Sequence, residues 1–382
     1  MTSNSTGSVR LPQKGISMRG RVAVYLAPRK PFEFREYPVV DPAADGILVR
    51  MRTCNICGSE LHLWRGQAVK LAEGLPQILG HEMVGTIERL GRDVKCDSLG
   101  NPLAEGDRIV YTYGRPCGKC WCCLTREASC PNRHKHWIGV SSDTPPHFNG
   151  GFGEFYYVCP HQAVFRVPNE LSDDLVSPVN CAAAQLFDGL RRIDVRSGDT
   201  VLIQGAGGLG LYAIAMAREL GAAQVIVLDA HLQRLELAER FGADRLLNVQ
   251  TTSAEQRREQ VLEWTDGRGA DVALELTGVA AAIAEGVELL RDGGRYLWVG
   301  NVNKGSQTAF DPSLVVRKAL TVQGSFAYEP SAIPGALQFL RRTKDRYPFE
   351  SILSHHFRFD DINDAFALAD RGEAIRIAIC FT

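Results

Sequence analysis

Hydrophobic and polar positions change rhythm near the middle of the chain. Between residues 19 and 168, short β-like apolar runs cover 21–26, 47–52, 84–90, 108–113 and 155–158, and Gly and Pro punctuate the intervals. Such runs between breakers predict an all-β or irregular α+β region, because alternation buries one face of a strand and Gly or Pro turns the chain. From about Ser177 the texture differs. Apolar runs of four to six residues alternate with segments whose apolar residues recur at helical spacing. Residues 200–204 precede a helix over 209–220, residues 224–228 one over 232–241, and residues 272–275 one over 280–290. Residues 296–299 and 320–323 read as further strands. This alternation predicts a parallel sheet covered by helices on both faces. After Tyr328 the pattern leaves a helix over 333–341 and a strand over 375–381, expected to return to the first region.

Composition narrows the class. A chain of 382 residues, 45% hydrophobic and 23% charged, has an ordinary globular profile. Its length favours two domains, since one core rarely grows past about 250–300 residues. The formal net charge of −1 supplies no basic field to gather nucleic acid or an anionic membrane. Residues 1–17 are polar and Ser/Thr-rich and read as a disordered leader rather than a signal peptide. The most apolar run, 201–217, is rich in glycine, contains Gln204 and ends at Arg218-Glu219, so it reads as a buried strand and helix, not a membrane span. Cytoplasm is the expected compartment.

The strand at 200–204 runs into Gly205-Ala206-Gly207-Gly208-Leu209-Gly210 and then an apolar helix. G-x-G-x-x-G in this setting predicts a dinucleotide site of the Rossmann type. The glycines allow a tight turn and close backbone approach to a pyrophosphate, and the helix start supplies free N–H groups. The next strand ends at Asp229. An acid there accepts the ribose hydroxyls of NAD and repels the extra phosphate of NADP; Arg234 and His231 lie close enough to complicate that preference. The plainer alternative is that Asp229 caps the helix beginning near His231.

Eleven cysteines are unusual for a chain with no export signal, and five of them crowd into residues 117–130. Cys117 and Cys120 form a C-x2-C knuckle; Cys123 and Cys130 follow. Four thiolates close a tetrahedron about zinc and leave no open position, the mark of a structural site. The alternative is a set of free buried thiols. Cys122 competes with Cys123 as third ligand, and Cys123 is favoured because it keeps the two-residue spacing.

Three further segments read as parts of a second metal site: Cys57-Gly58-Ser59-Glu60-Leu61-His62, Gly80-His81-Glu82, and Cys181. Each alone is weak, since a lone His or Cys is more often packed than ligating. Together with the cysteine lobe, the glycine turn and Asp229, in this order, they resemble the zinc-containing medium-chain dehydrogenase/reductase superfamily over about residue 18 to the C-terminus. That resemblance implies an α/β Rossmann domain (181–327) and a mainly-β GroES-like catalytic domain discontinuous in sequence (18–180 and 328–382). It implies Cys57, His81 and Cys181 as catalytic zinc ligands, with Glu82 beside the metal and able to enter its coordination sphere. It implies Ser59 and His62 as a proton relay, Arg376 as a basic residue reaching the cofactor pyrophosphate, two zinc ions and NAD per chain, and a homodimer or homotetramer. In the plainer reading Arg376 is a surface strand residue and His62 a surface histidine.

The chemistry supports these roles independently. A hydride leaves an alkoxide more readily than an alcohol, and zinc with three protein ligands and one open position lowers the oxygen's pKa. The released proton then needs a path from a dry pocket, which a hydroxyl and an imidazole can provide. The sequence departs from the family in three places: Glu60 where Asp is usual, Gln185 where a small Thr is usual, and a cysteine lobe one residue short between its third and fourth ligands. The expected activity is NAD-linked oxidation of a secondary or cyclic alcohol or a polyol to a ketone or aldehyde. The alternative is a non-catalytic nucleotide- or zinc-binding protein, which would need neither Ser59 nor His62. Trp64, Phe148, Phe152 and Phe187 are candidates for an apolar pocket or for the core. Residues 97–103 read as an inserted surface turn without assigned chemistry.

Overall fold

Six strands form a parallel sheet in the spatial order Arg245–Asn248, Gln224–Asp229, Thr200–Gln204, Ala270–Glu275, Leu290–Trp298 and Thr321–Gly324. The chain starts in the middle at Thr200–Gln204, steps outward twice, then restarts on the other side at Ala270–Glu275. The connections leave the carboxyl ends of these two central strands in opposite directions, and that crevice is where open parallel sheets take ligands. Both strands are buried along their whole length, because helices cover both faces. The flanking helices include Gly208–Glu219, Leu232–Arg240, Ala254–Trp264 and Ala280–Leu289. The computed structural model describes residues 18–67, 74–125, 130–132, 134, 135, 138–302 and 305–381; the leader expected over 1–17 lies outside them.

The rest of the strands are mostly antiparallel. Ile47–Ile56 is the centre of a seven-stranded sheet and pairs with Glu82–Leu90, with Phe155–Val158 and with the last strand, Ile377–Cys380. Arg108–Tyr111 and Val164–Arg166 extend that sheet on one side, and His355–Arg358 on the other. Arg19–Tyr25 lies between Glu33–Pro38 and Gln77–Ile78 in a smaller sheet. The α/β-plus-mainly-β class expected from the sequence is therefore the observed one. One apolar cluster runs through the seam between the halves, joining Val84, Val110 and Phe165 to Val179, Ala182, Leu211 and Tyr212.

Several elements leave no run-and-breaker signal. Arg245–Asn248 is a short, half-buried edge strand. Glu33–Pro38 is polar and solvent-facing. Ala184–Arg192 begins inside the buried alanine run of the seam and is short; Leu186 and Leu190 face inward while Arg191 is exposed, and the run before it blurs where the helix starts. The final strand is shorter than expected: Ile375 and Arg376 precede it, with the Ile375 N–H bonded to Ser354 Oγ. No helix among the described residues is long and apolar enough to cross a membrane.

Candidate active site

Strand Ile47–Ile56 ends one residue before Cys57, which caps the helix Gly58–Trp64. Glu60, in the first turn, accepts the Cys57 N–H at 3.2 Å through one carboxylate oxygen, and its other oxygen takes Nδ1–H of His81. That fixes the imidazole with Nε2 turned inward, 3.2 Å from Cys181 Sγ. His81 stands directly before strand Glu82–Leu90, and Cys181 sits in a π-turn, Val179–Ala183, in the seam. A π-turn widens the helix by one residue and often marks a functional site. One donor atom each from Cys57, His81, Glu82 and Cys181 lies within 4.8 Å of the others. Glu60 thus orients the histidine through its side-chain length, although the family resemblance places a shorter acid there.

The donors suit zinc. Two sulfurs and an imidazole form a catalytic-type set with room for one more ligand. Glu82 Oε2 pairs with Arg376 Nη1 and accepts from Asn55 Nδ2 at 3.4 Å, while Glu82 Oε1 is buried with no hydrogen-bond partner. An unpaired buried oxygen is costly unless a cation relieves it. Burial pushes the Glu82 carboxyl up to about 7 against the pull of Arg376. Hydrogen bonding from Cys181 holds the Cys57 thiol well below its ordinary range.

The second group is the cysteine lobe. Sγ of Cys120 lies 3.5 Å from that of Cys123 and 3.7 Å from that of Cys130, and Cys117 Sγ is 3.9 Å from Cys123 Sγ. These four offer their sulfurs within 4.8 Å of one another, and Cys122 is outside the group. The separation follows from the short helix Trp121–Thr125, on which Cys122 and Cys123 point about 100° apart.

At the crevice, Gly207 starts the helix Gly208–Glu219. A Cβ on Gly210 would lie 1.9 Å from the Gly205 carbonyl, so only glycine lets the turn close on the helix. Leu209 is half-buried beside it. Asp229 ends its strand with Oδ2 accepting from Ala206 N–H at 2.7 Å and Oδ1 from His231 N–H at 2.8 Å. Its carboxylate therefore both ties down the turn and starts the helix Leu232–Arg240, while two lone pairs remain for a ligand. Arg234 is half-buried on the first turn of that helix. Arg376 joins this region to the metal cluster. Its guanidinium lies over Gly208, where a Cβ would come within 2.6 Å of Nη2, and its buried Nε has no partner. A phosphate oxygen is a fitting acceptor for it.

Ser59 and His62 lie one helical turn apart on Gly58–Trp64. Ser59 Oγ is 4.0 Å from Cys57 Sγ, and His62 Nδ1 lies 3.1 Å from Gln67 Oε1. Gln185 donates Nε2–H to the Ser325 carbonyl at 3.2 Å, one turn beyond Cys181. Of the four aromatic pocket candidates, Phe148 and Phe152 are core residues with no exposed surface. Trp64 packs on Phe366 and bonds the Lys30 carbonyl, and Phe187 packs on Gly335 of helix Ala332–Thr343. An aromatic residue that does meet the cluster is Tyr113, edge-on to His81 with centroids 4.8 Å apart. It lines a hollow with Thr112, Gly114, Pro116, Tyr328 and Pro330. The sequence signal for it was its place just ahead of the cysteine lobe.

Known proteins share this arrangement. Residues 43–169 match the family description "Alcohol dehydrogenase GroES-like domain", and residues 208–342 match "Zinc-binding dehydrogenase". The chain is 29% identical over 358 residues to a 5-exo-hydroxycamphor dehydrogenase of Pseudomonas putida, covering 94% of this chain and 98% of that one. It is 31% identical to an L-threonine 3-dehydrogenase of Paraburkholderia xenovorans, covering 88% and 92%. Among solved structures, an alcohol dehydrogenase from Thermotoga maritima superposes with a TM-score of 0.90 at 32% identity, covering 95% of this chain and all of that one. The chain belongs to the zinc-containing medium-chain dehydrogenase/reductase family. It is a zinc-dependent oxidoreductase acting on a small-molecule alcohol.

Proposed function

We propose that the chain transfers a hydride between a secondary or cyclic alcohol, or a polyol, and NAD. The observation that carries this reading is Arg376, whose guanidinium touches both Glu82 of the metal cluster and Gly208 of the glycine turn. Two ligand sites thus share one wall, as hydride transfer between them requires. The named substrates of two relatives, hydroxycamphor and L-threonine, both carry a secondary hydroxyl, which supports the substrate class.

Cys57, His81 and Cys181 would hold one zinc ion, with Glu82 able to enter as ligands exchange, and Cys117, Cys120, Cys123 and Cys130 would hold a second. The ion at the open site supplies a Lewis acid that eases loss of the alcohol proton. Glu60 holds the His81 ring in one tautomer. Ser59 takes up the hydroxyl proton and His62, nearer solvent, passes it on. Asp229 accepts the ribose hydroxyls and disfavours a 2′-phosphate. Arg376 offers its unpartnered Nε to the pyrophosphate.

We further propose a cytoplasmic homo-oligomer. The edge strand Thr321–Gly324 has no outer neighbour among the described strands, and Val316 and Phe326 beside it are 79% and 61% exposed. An open edge with apolar flanks favours pairing with a second copy. The test of the main reading is metal analysis of freshly purified protein, followed by NADH and NADPH formation over an alcohol panel. Two zinc equivalents and preferential NADH formation are expected, and Asp229→Ser should relax the preference. One zinc equivalent or less, or no turnover of any alcohol, would overturn the reading.

A further inference from the structure

Asn180 stands one residue before Cys181 in the π-turn Val179–Ala183, and no part of it is exposed. Its Nδ2 donates to the main-chain carbonyl of His81 at 3.0 Å and to that of Tyr111 at 2.9 Å. Its Oδ1 accepts from the main-chain N–H of Met83 at 3.3 Å. Both amide hydrogens and the amide oxygen are therefore committed to backbone groups of the antiparallel half. Two of those groups, from His81 and Met83, flank Glu82. The Asn180 carbonyl in turn accepts from the Tyr328 hydroxyl. The Tyr328 ring meets Tyr113 edge-on at 5.8 Å, and Tyr113 meets His81.

We propose that Asn180 is a positioning residue for the open metal site, fixing the spacing of Cys181 from the His81–Glu82 segment. The proposal rests on the reading of Cys57, His81 and Cys181 as zinc ligands. Those segments come from opposite sides of the seam, and His81 and Cys181 are 100 residues apart in sequence. Zinc demands donors at about 2.0–2.3 Å. Apolar packing in the seam tolerates small sliding, whereas three directional bonds to fixed backbone groups do not. The side chain required is an amide. An aspartate would set carboxylate oxygens against the two carbonyls, and a leucine of similar size would remove all three bonds.

The experiment compares wild type, Asn180→Leu, Asn180→Ser and Val287→Ala in the full-length protein. Val287 is buried in a separate cluster under the nucleotide sheet, so its truncation lowers stability away from the metal. Zinc affinity is read by competition with a chromophoric chelator, and ligand geometry by visible absorption after cobalt substitution. Both Asn180 variants should hold the open-site metal about 10–100-fold more weakly, the usual cost of losing a ligand-orienting partner. The cobalt band should shift while the cysteine-lobe metal stays bound. Val287→Ala should lower Tm and change neither readout. If Asn180→Leu does not fold, the smaller Asn180→Ser decides. A folded Asn180→Ser with wild-type affinity and spectrum would overturn the proposal, as would an equal loss in Val287→Ala. A wild type that binds only the cysteine-lobe zinc would overturn the ligand reading itself, and this proposal with it.

Discussion

Arg376 and Glu82 form an ion pair whose side chains are 7% and 0% exposed, and through it the metal cluster and the glycine turn share one charged contact. Removing one partner of such a pair leaves an uncompensated buried charge, at a cost of about 3–5 kcal/mol. Arg376→Met, and separately Glu82→Gln, should therefore lower the denaturant midpoint, and Arg376→Met should also raise KM for the dinucleotide. The double variant Arg376→Met/Glu82→Gln should be more stable than the sum of the single losses implies. Strict additivity in that double-mutant cycle would show that the pair is not coupled.

Glu60 spans from the Cys57 N–H to His81 Nδ1, and its second side-chain methylene is what lets it reach both. Glu60→Asp keeps the charge but shortens the arm, so one contact must break. Loss of a ligand-orienting carboxylate typically costs 10–100-fold in activity or metal affinity, and a drop of about that size in kcat/KM is expected. Glu60→Asp with unchanged kcat/KM and zinc content would show that the backbone adjusts freely here.

Local chemistry was legible in the sequence and long-range chemistry was not. The glycine turn and the cysteine lobe each lie within a few residues of one another, so spacing alone indicates what they can hold. Asp229 was open to two readings, capping or ligand binding, and its carboxylate has the capacity for both. By contrast, Arg376 and Glu82 are 294 residues apart, and nothing in either local pattern names the partner. Asn180 gave no signal, because a buried amide bonded to backbone leaves no periodicity. Phe148 and Phe152 were open between pocket and core, and their burial in the antiparallel half places them in the core.

Residues 97–103 carry structure rather than catalysis. Asp97 accepts from the backbone N–H of Leu99, Asn101 and Arg166 and from the Asn101 side chain. Burial raises its pKa, but these donors outweigh burial and leave it below the ordinary value of 3.8. The sign follows from linkage. A depressed folded pKa means that the unfolded chain binds more protons near pH 4, so the stabilisation is present above that range and lost as pH falls through the folded pKa. Asp97→Asn should be less stable than wild type at neutral pH by about 1–3 kcal/mol. The Tm gap should narrow below about pH 4. Acid weakens zinc–thiolate bonding in both proteins alike, so their difference isolates Asp97. A gap independent of pH would show that the carboxylate charge contributes nothing.

The proton path separates an enzyme from a binder. Ser59 and His62 lie one turn apart on a helix whose cap is Cys57, and Gln67 steadies the imidazole. If they carry the proton outward, His62→Gln should slow alcohol oxidation with little effect on NAD affinity. The loss should be largest near neutral pH, because at high pH hydroxide accepts the proton directly. General acid–base groups contribute about 10²–10⁴-fold, and a relay to solvent belongs at the low end of that range. Ser59→Ala should be worse, since it cuts the path at its first member. The measurement is kcat against pH for wild type and both variants, with one alcohol and saturating NAD. A deuterated alcohol must first show that chemistry limits turnover, because slow NADH release would mask a broken path. With that established, an unchanged profile in His62→Gln, or a Ser59→Ala variant as active as wild type, would remove the relay from the mechanism.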